Sequence, residues 1–169
     1  MTKTSSLLLA CTLLACGGDG GGGSVDSGLP AEKKGSELSE SEGATLCEAQ
    51  SDHLGTLVSE QDAHRFTCVG TGITAALLGD GSVMSCQIVY DMCIKTEPEP
   101  SEPGTCTLTF LDTCDATVAE IEACLTARNE LLADSFKSAS CEDVKNTAPS
   151  EPESPAACSS IKSTCPGIG

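Results

Sequence analysis

The cysteines constrain this chain more than any other feature. Twelve occur in 169 residues, beside only 3 Phe, 1 Tyr and no Trp. Ten of them, Cys47, Cys68, Cys86, Cys93, Cys106, Cys114, Cys124, Cys141, Cys158 and Cys165, span one domain's worth of chain. The apolar residues there are mostly Ala, Leu, Val and Ile, so the core is expected to be thin. Disulfides stabilise by about 2–4 kcal/mol each, mainly by restricting the unfolded chain. Five would offset the missing aromatic burial, as is usual in small exported domains. Metal ligation is the competing use of dense cysteine. Structural zinc sites carry C-x₂₋₄-C or H-x₃₋₅-H pairs. This chain has no C-x-x-C, and its two histidines, His53 and His64, are too far apart for the second pattern. No metal and no cofactor is expected.

The other two cysteines lie in the N-terminal stretch MTKTSSLLLACTLLACGG. A basic start, Lys3, is followed by an apolar run from Leu7 to Ala15 interrupted only by Thr12, which suits an export signal. Cleavage before Cys11 would leave the apolar run too short; cleavage before Cys16 leaves it adequate. Parity agrees, because cutting before Cys16 and lipidating it leaves ten cysteines to pair, whereas the other cut leaves an odd thiol. Leu13-Leu14-Ala15-Cys16 resembles the bacterial lipobox. That resemblance implies a diacylated thioether on Cys16, an acylated amino terminus and a membrane partner reached through the lipid. Gly17 stands where an Asp would favour inner-membrane retention, so the resemblance implies the outer membrane of the cell envelope. The alternatives are a signal peptide removed without lipidation and a buried apolar helix. No later stretch is apolar for the ~18 residues that a span requires.

Charge excludes other partners. The formal charge is −16, and losing residues 1–15 removes Lys3 from the 9 basic residues and none of the 25 acids, giving −17. Such a surface repels phosphate backbones, so no nucleic acid is expected as a partner. Residues 17–44 are rich in Gly, Ser, Glu and Lys, with little to bury, and read as disordered. The expected organisation is a signal peptide at 1–15, a lipidated cysteine and flexible tether at 16–45, and a disulfide-stapled domain at 46–169. LysThrGluProGluProSerGluProGly at 95–104 and AsnThrAlaProSerGluProGluSerPro at 146–155 read as extended linkers. The cysteine spacing ending in Cys86 and Cys93 is echoed in that ending in Cys158 and Cys165. The domain thus divides into two cysteine-rich halves, 46–94 and 115–165, joined by the first linker. Spacing does not determine which cysteines pair.

Local signals favour a mainly α fold. Thr117-Val-Ala-Glu120 is a capping box. Val118, Ile121, Leu125, Leu132 and Phe136 follow at helical spacing, flanked by Cys124 and Leu131, which predicts a helix over about 117–137. Ser82 caps a segment to residue 94 that is read as helix, although GlnIleValTyr also suits a strand. Ser154 and Pro155 open a short final helix that Pro166-Gly167 stops. Residues 46–58 and 59–69 are weaker helices, Gly70-Thr-Gly72 reads as a turn after Cys68, and Gly79-Asp-Gly-Ser82 as a turn into the next helix. ThrCysThrLeuThrPheLeu at 105–111 alternates with period two and reads as a short strand, leaving α+β as the alternative class.

Reactive chemistry is sparse. Neither histidine has a nucleophile and an acid in a recognisable pattern, and no G-x-S-x-G elbow is present. Glu120 and Glu122 suit the positive end of a helix dipole better than a carboxylate pair. No catalytic residue is assigned, and the chain is not expected to be an enzyme. The run from Cys114-Asp-Ala-Thr-Val-Ala-Glu-Ile-Glu-Ala-Cys124 through Cys141 to Cys158…Cys165-Pro-Gly resembles uncharacterised cysteine-rich lipoproteins of myxobacteria. Its motifs are structural, and the resemblance implies a surface module with no reaction attached. The function expected is a lipid-anchored envelope protein with a structural or interaction role toward an envelope or extracellular protein. The alternative is a hydrolase inhibitor, or another secreted-type binding module, with a linker as bait.

Overall fold

Four hydroxyl residues set the helix starts. In the computed structural model, which describes residues 23–96, 106–108, 111–145, 154–166 and 168, the side chains of Ser39, Ser59, Ser82 and Thr117 each accept a hydrogen bond from the backbone N–H three residues on. They open α1 (Glu40–Leu57), α2 (Glu60–Leu78), α3 (Val83–Cys93) and α4 (Val118–Ser138). Ser39 with Glu42 and Thr117 with Glu120 form full capping boxes. A short α5 (Ala156–Ile161) follows, and 3₁₀ turns occupy Gly35–Glu37, Leu111–Thr113 and Cys141–Lys145.

The protein is mainly helical and disulfide-rich. The ten cysteines join as Cys47–Cys106, Cys68–Cys93, Cys86–Cys141, Cys114–Cys165 and Cys124–Cys158. Helices α1, α4 and α5 pack around Leu46, Leu111, Ile121, Leu125, Ile161 and Ile168, with the last two disulfides inside that core. Helices α2 and α3 form a stapled antiparallel hairpin. It buries a much smaller cluster of Ala76, Cys86, Cys141 and Val144.

Several sequence expectations need correction. Residues 23–39 do not belong to a tether with little to bury. They form a strap across α4 whose Val25 is only 2% exposed. The Val25 and Ser27 N–H groups donate to Thr126 Oγ1 and Glu122 Oε1, and the Val118 and Ala119 N–H groups donate back to the Lys33 and Ala31 carbonyls. The first amides of α4, which no helix satisfies internally, thereby find acceptors. Glu122 thus also anchors the strap, accepting from Ser27 N–H and Oγ. Helix α1 begins at Glu40, inside the stretch assigned to the tether.

No strand occurs among the described residues of 105–111. Residues 106–108 are irregular and Leu111 opens a 3₁₀ turn, with Cys106 held by its disulfide to α1. Gly70-Thr-Gly72 is not a turn but the middle of α2. A Cβ on Gly72 would lie 2.7 Å from the Cys86 carbonyl oxygen and 2.9 Å from its Sγ, so the glycine lets α3 approach. The α4 stripe holds at Val118, Ile121, Cys124 and Leu125, then drifts to Asn129 and Ala133, leaving Leu132 41% exposed. Helix α5 starts at Ala156 with Pro155 as its N-cap, one residue later than expected, and ends before Cys165. The pairing, which spacing left open, crosses the two sequence halves: Cys86–Cys141 joins one to the other, and Cys47–Cys106 and Cys114–Cys165 tie each half to the segment between them.

Candidate functional site

Cys16 lies outside the described residues, as do most of the two linkers, at 97–105 and 146–153. The site residues that can be placed are the ten cysteines, all engaged in disulfides and so without a thiolate to offer. Among the described residues, two of the concavities and the two histidines bear on chemistry.

The larger concavity, about 510 Å³, lies between the strap and the exposed side of α1. Asp26 comes from the strap, while Glu48 and Asp52 stand one helical turn apart on α1; Thr45, Thr56 and His53 complete the wall. No Lys or Arg lines it, so the groove is electronegative and favours cations over anions. Among the described residues, no group of three or more His, Cys, Asp or Glu side chains assembles as a metal cage.

His53 is 5% exposed and Asn129 of α4 is fully buried. Asn129 Nδ2 donates to His53 Nδ1 at 3.1 Å and to the Gln50 carbonyl at 2.8 Å. With Nδ1 accepting, the ring proton sits on Nε2, which has no partner, and neither does Asn129 Oδ1. The pair ties α1 to α4 at a cost in unsatisfied polarity. It offers no nucleophile for the imidazole to activate. Sequence reasoning weighed His53 as a base and passed over Asn129, whose only signal was a polar residue at the helical spacing of the core stripe. His64 sits on α2 with its ring nitrogens 3.8 and 4.0 Å from Cys68 Sγ, a sulfur already committed to Cys93.

The smaller concavity, about 180 Å³, is lined by Val69, Gln87, Tyr90 and residues 139–141 beside Arg65. Arg65 is occupied: its guanidinium donates to the carbonyls of Phe136, Lys137 and Ala139, closing the C-terminus of α4. Phe66 stacks on Phe136 beside it, centroids 4.3 Å apart.

The carboxylates with displaced acidity serve helix starts. Hydrogen bonds from Lys33 and Ser39 lower Glu42 to about 2. Ser59 lowers Asp62, Ser85 and Ser82 lower Asp80, and Thr117 lowers Glu120. All four are held ionised by donors, the reverse of a carboxyl poised as a general acid. No described helix is long and apolar enough to cross a membrane. Compared with protein-family models, curated proteins and solved structures, the chain matches none significantly.

Proposed function

We propose that this protein is a lipid-anchored module of the bacterial cell envelope with a non-enzymatic, interaction-bearing role. One observation carries the reading. Ten cysteines after Cys16 pair wholly among themselves. The disulfide frame therefore does not require Cys16, the cysteine of the lipobox-like Leu13-Leu14-Ala15-Cys16, which supports acylation there. Five disulfides presuppose an oxidising compartment, which agrees with export. Donor-bound carboxylates and engaged histidines suit a durable presented surface better than a reaction centre.

With the strap beginning by residue 23, the tether from Cys16 is short. Six residues, 17–22, separate Cys16 from the strap, so an anchor at Cys16 holds the domain close to the bilayer. Intact mass of the native protein, with and without thiol alkylation, tests the reading. The expected result is a chain starting at Cys16, heavier by a diacylglyceryl group and an acyl chain, with no alkylation. A retained leader or alkylated cysteines would contradict it.

A further inference from the structure

We propose that the outer face of α3 is a self-association surface, which pairs with the same face of a second copy of this chain. Met84, Ile88 and Met92 lie at i, i+4 and i+8 along α3, and Leu77 and Leu78 end α2, separated from α3 by four residues. All five are exposed, Leu78 by 85% and Met84 by 73%. Runs of exposed apolar side chains of this kind mark interaction sites.

Charge selects the occupant. From residue 66 to 94 the charged residues are Asp80 and Asp91, in a chain of formal charge −16. Two such molecules repel each other through most of their surfaces, and the charge-poor hairpin is where they meet with least repulsion; an antiparallel pairing centred on Ile88 sets the exposed Asp91 opposite Ser85 of the other copy rather than opposite a carboxylate. A lipid surface fits poorly, because interfacial helices carry Lys or Arg with Trp or Phe, and this stretch has no Trp and no basic residue.

Spacing supplies self-complementarity. Met84 and Met92 are equidistant from Ile88, so two antiparallel α3 helices about a two-fold axis set Ile88 on Ile88 and each Met84 on the other copy's Met92. The Cys68–Cys93 and Cys86–Cys141 disulfides hold α3 in place beforehand, so little freedom is lost on pairing. Five exposed side chains fall well short of the roughly 20–30 residues a side of a standard stable interface. The pairing is therefore weak in dilute solution and promoted where copies are concentrated on one surface. That concentration rests on the anchored reading above; the pairing itself does not.

The test is a photoreactive benzophenone side chain at position 88 of the full chain, irradiated in the producing cells, with position 130 on the exposed side of α4 as control. The expected product from position 88, absent from position 130, has twice the chain mass. Its cross-linked peptide joins position 88 to the 84–92 region of the same sequence. Adducts to another protein or to lipid, or no adduct at all, overturn the proposal. In a second arm the benzophenone sits at position 84 and Ile88→Glu sets two carboxylates face to face. Ile88 is exposed, so far-UV circular dichroism should report an intact fold. The dimer adduct should fall by at least about tenfold, and an undiminished adduct overturns the proposal.

Discussion

The region built on α1, α4 and α5 and the hairpin of α2 and α3 solve the problem of a thin core in opposite ways. The first buries Leu46, Ile121, Leu125, Ile161 and Ile168, wraps itself in the strap and keeps two disulfides inside. The second buries Cys68, Val69, Ala76 and Cys86, packed in part against Cys141 and Val144 of the following 3₁₀ turn, and leaves larger side chains such as Leu78, Met84 and Met92 outside. Burial of apolar area is worth about 25 cal/mol per Å², so the hairpin owes its place more to cross-links and polar contacts than to packing. Cys86–Cys141, the Arg65 contacts and the Phe66–Phe136 stack hold it against the end of α4.

The largest effect should come from the first region. Replacing Cys124 and Cys158 together by Ala removes a disulfide from the main core and should cost about 2–5 kcal/mol, read as a lowered midpoint in urea unfolding followed by circular dichroism. The same double replacement at Cys68 and Cys93 should act mainly on the hairpin, with amide exchange accelerating in α2 and α3 before α4. Equal loss of protection in all helices would break the contrast between the regions.

Arg65→Ala probes the junction. It strips donors from three carbonyls at the end of α4 and should cost about 1–3 kcal/mol. Faster exchange is expected at the C-terminal turn of α4 and in α2, with little change in α1. Gly72→Ala should follow at about 1–2 kcal/mol, because the new Cβ meets the Cys86 backbone in a tightly packed contact. Its effect should stay within the hairpin and leave the exchange of α4 unchanged.

The smallest effect is the acid limb of stability. Glu42, Asp62, Asp80 and Glu120 have lowered folded-state pKa values, so each favours the folded state at neutral pH. That contribution is complete above the ordinary carboxylate range and disappears as pH falls through the folded values, about 2 for Glu42. Melting temperature should stay level from neutral pH to about 5 and decline below it. Glu42→Gln should shrink the decline. A decline that begins well above the carboxylate range would contradict this assignment.

Features governed by neighbouring residues were legible in the sequence. The capping box at Thr117, the Ser82 cap and the turn at 79–82 act within a few residues, and the structure carries all three. Features governed by distant chain were not. The strap leaves no periodic trace, since it is held by Val25 and by backbone bonds to a helix about ninety residues away. Gly72 resembles a turn glycine until Cys86 arrives beside it. The Thr-rich alternation around Cys106 meets no partner strand among the described residues, and the disulfide to Cys47 holds it instead. Of the candidate site, cysteine density was readable and the pairing was not. The His53–Asn129 contact depends on the packing of α1 against α4.

Peptide mapping of the unreduced protein by mass spectrometry tests this division most directly. The account predicts Cys47–Cys106, Cys68–Cys93, Cys86–Cys141, Cys114–Cys165 and Cys124–Cys158, with Cys86–Cys141 as the sole covalent bridge from the hairpin to the rest beyond the chain itself. A map that pairs Cys86 with Cys93, or finds any of the ten as a free thiol, would contradict it.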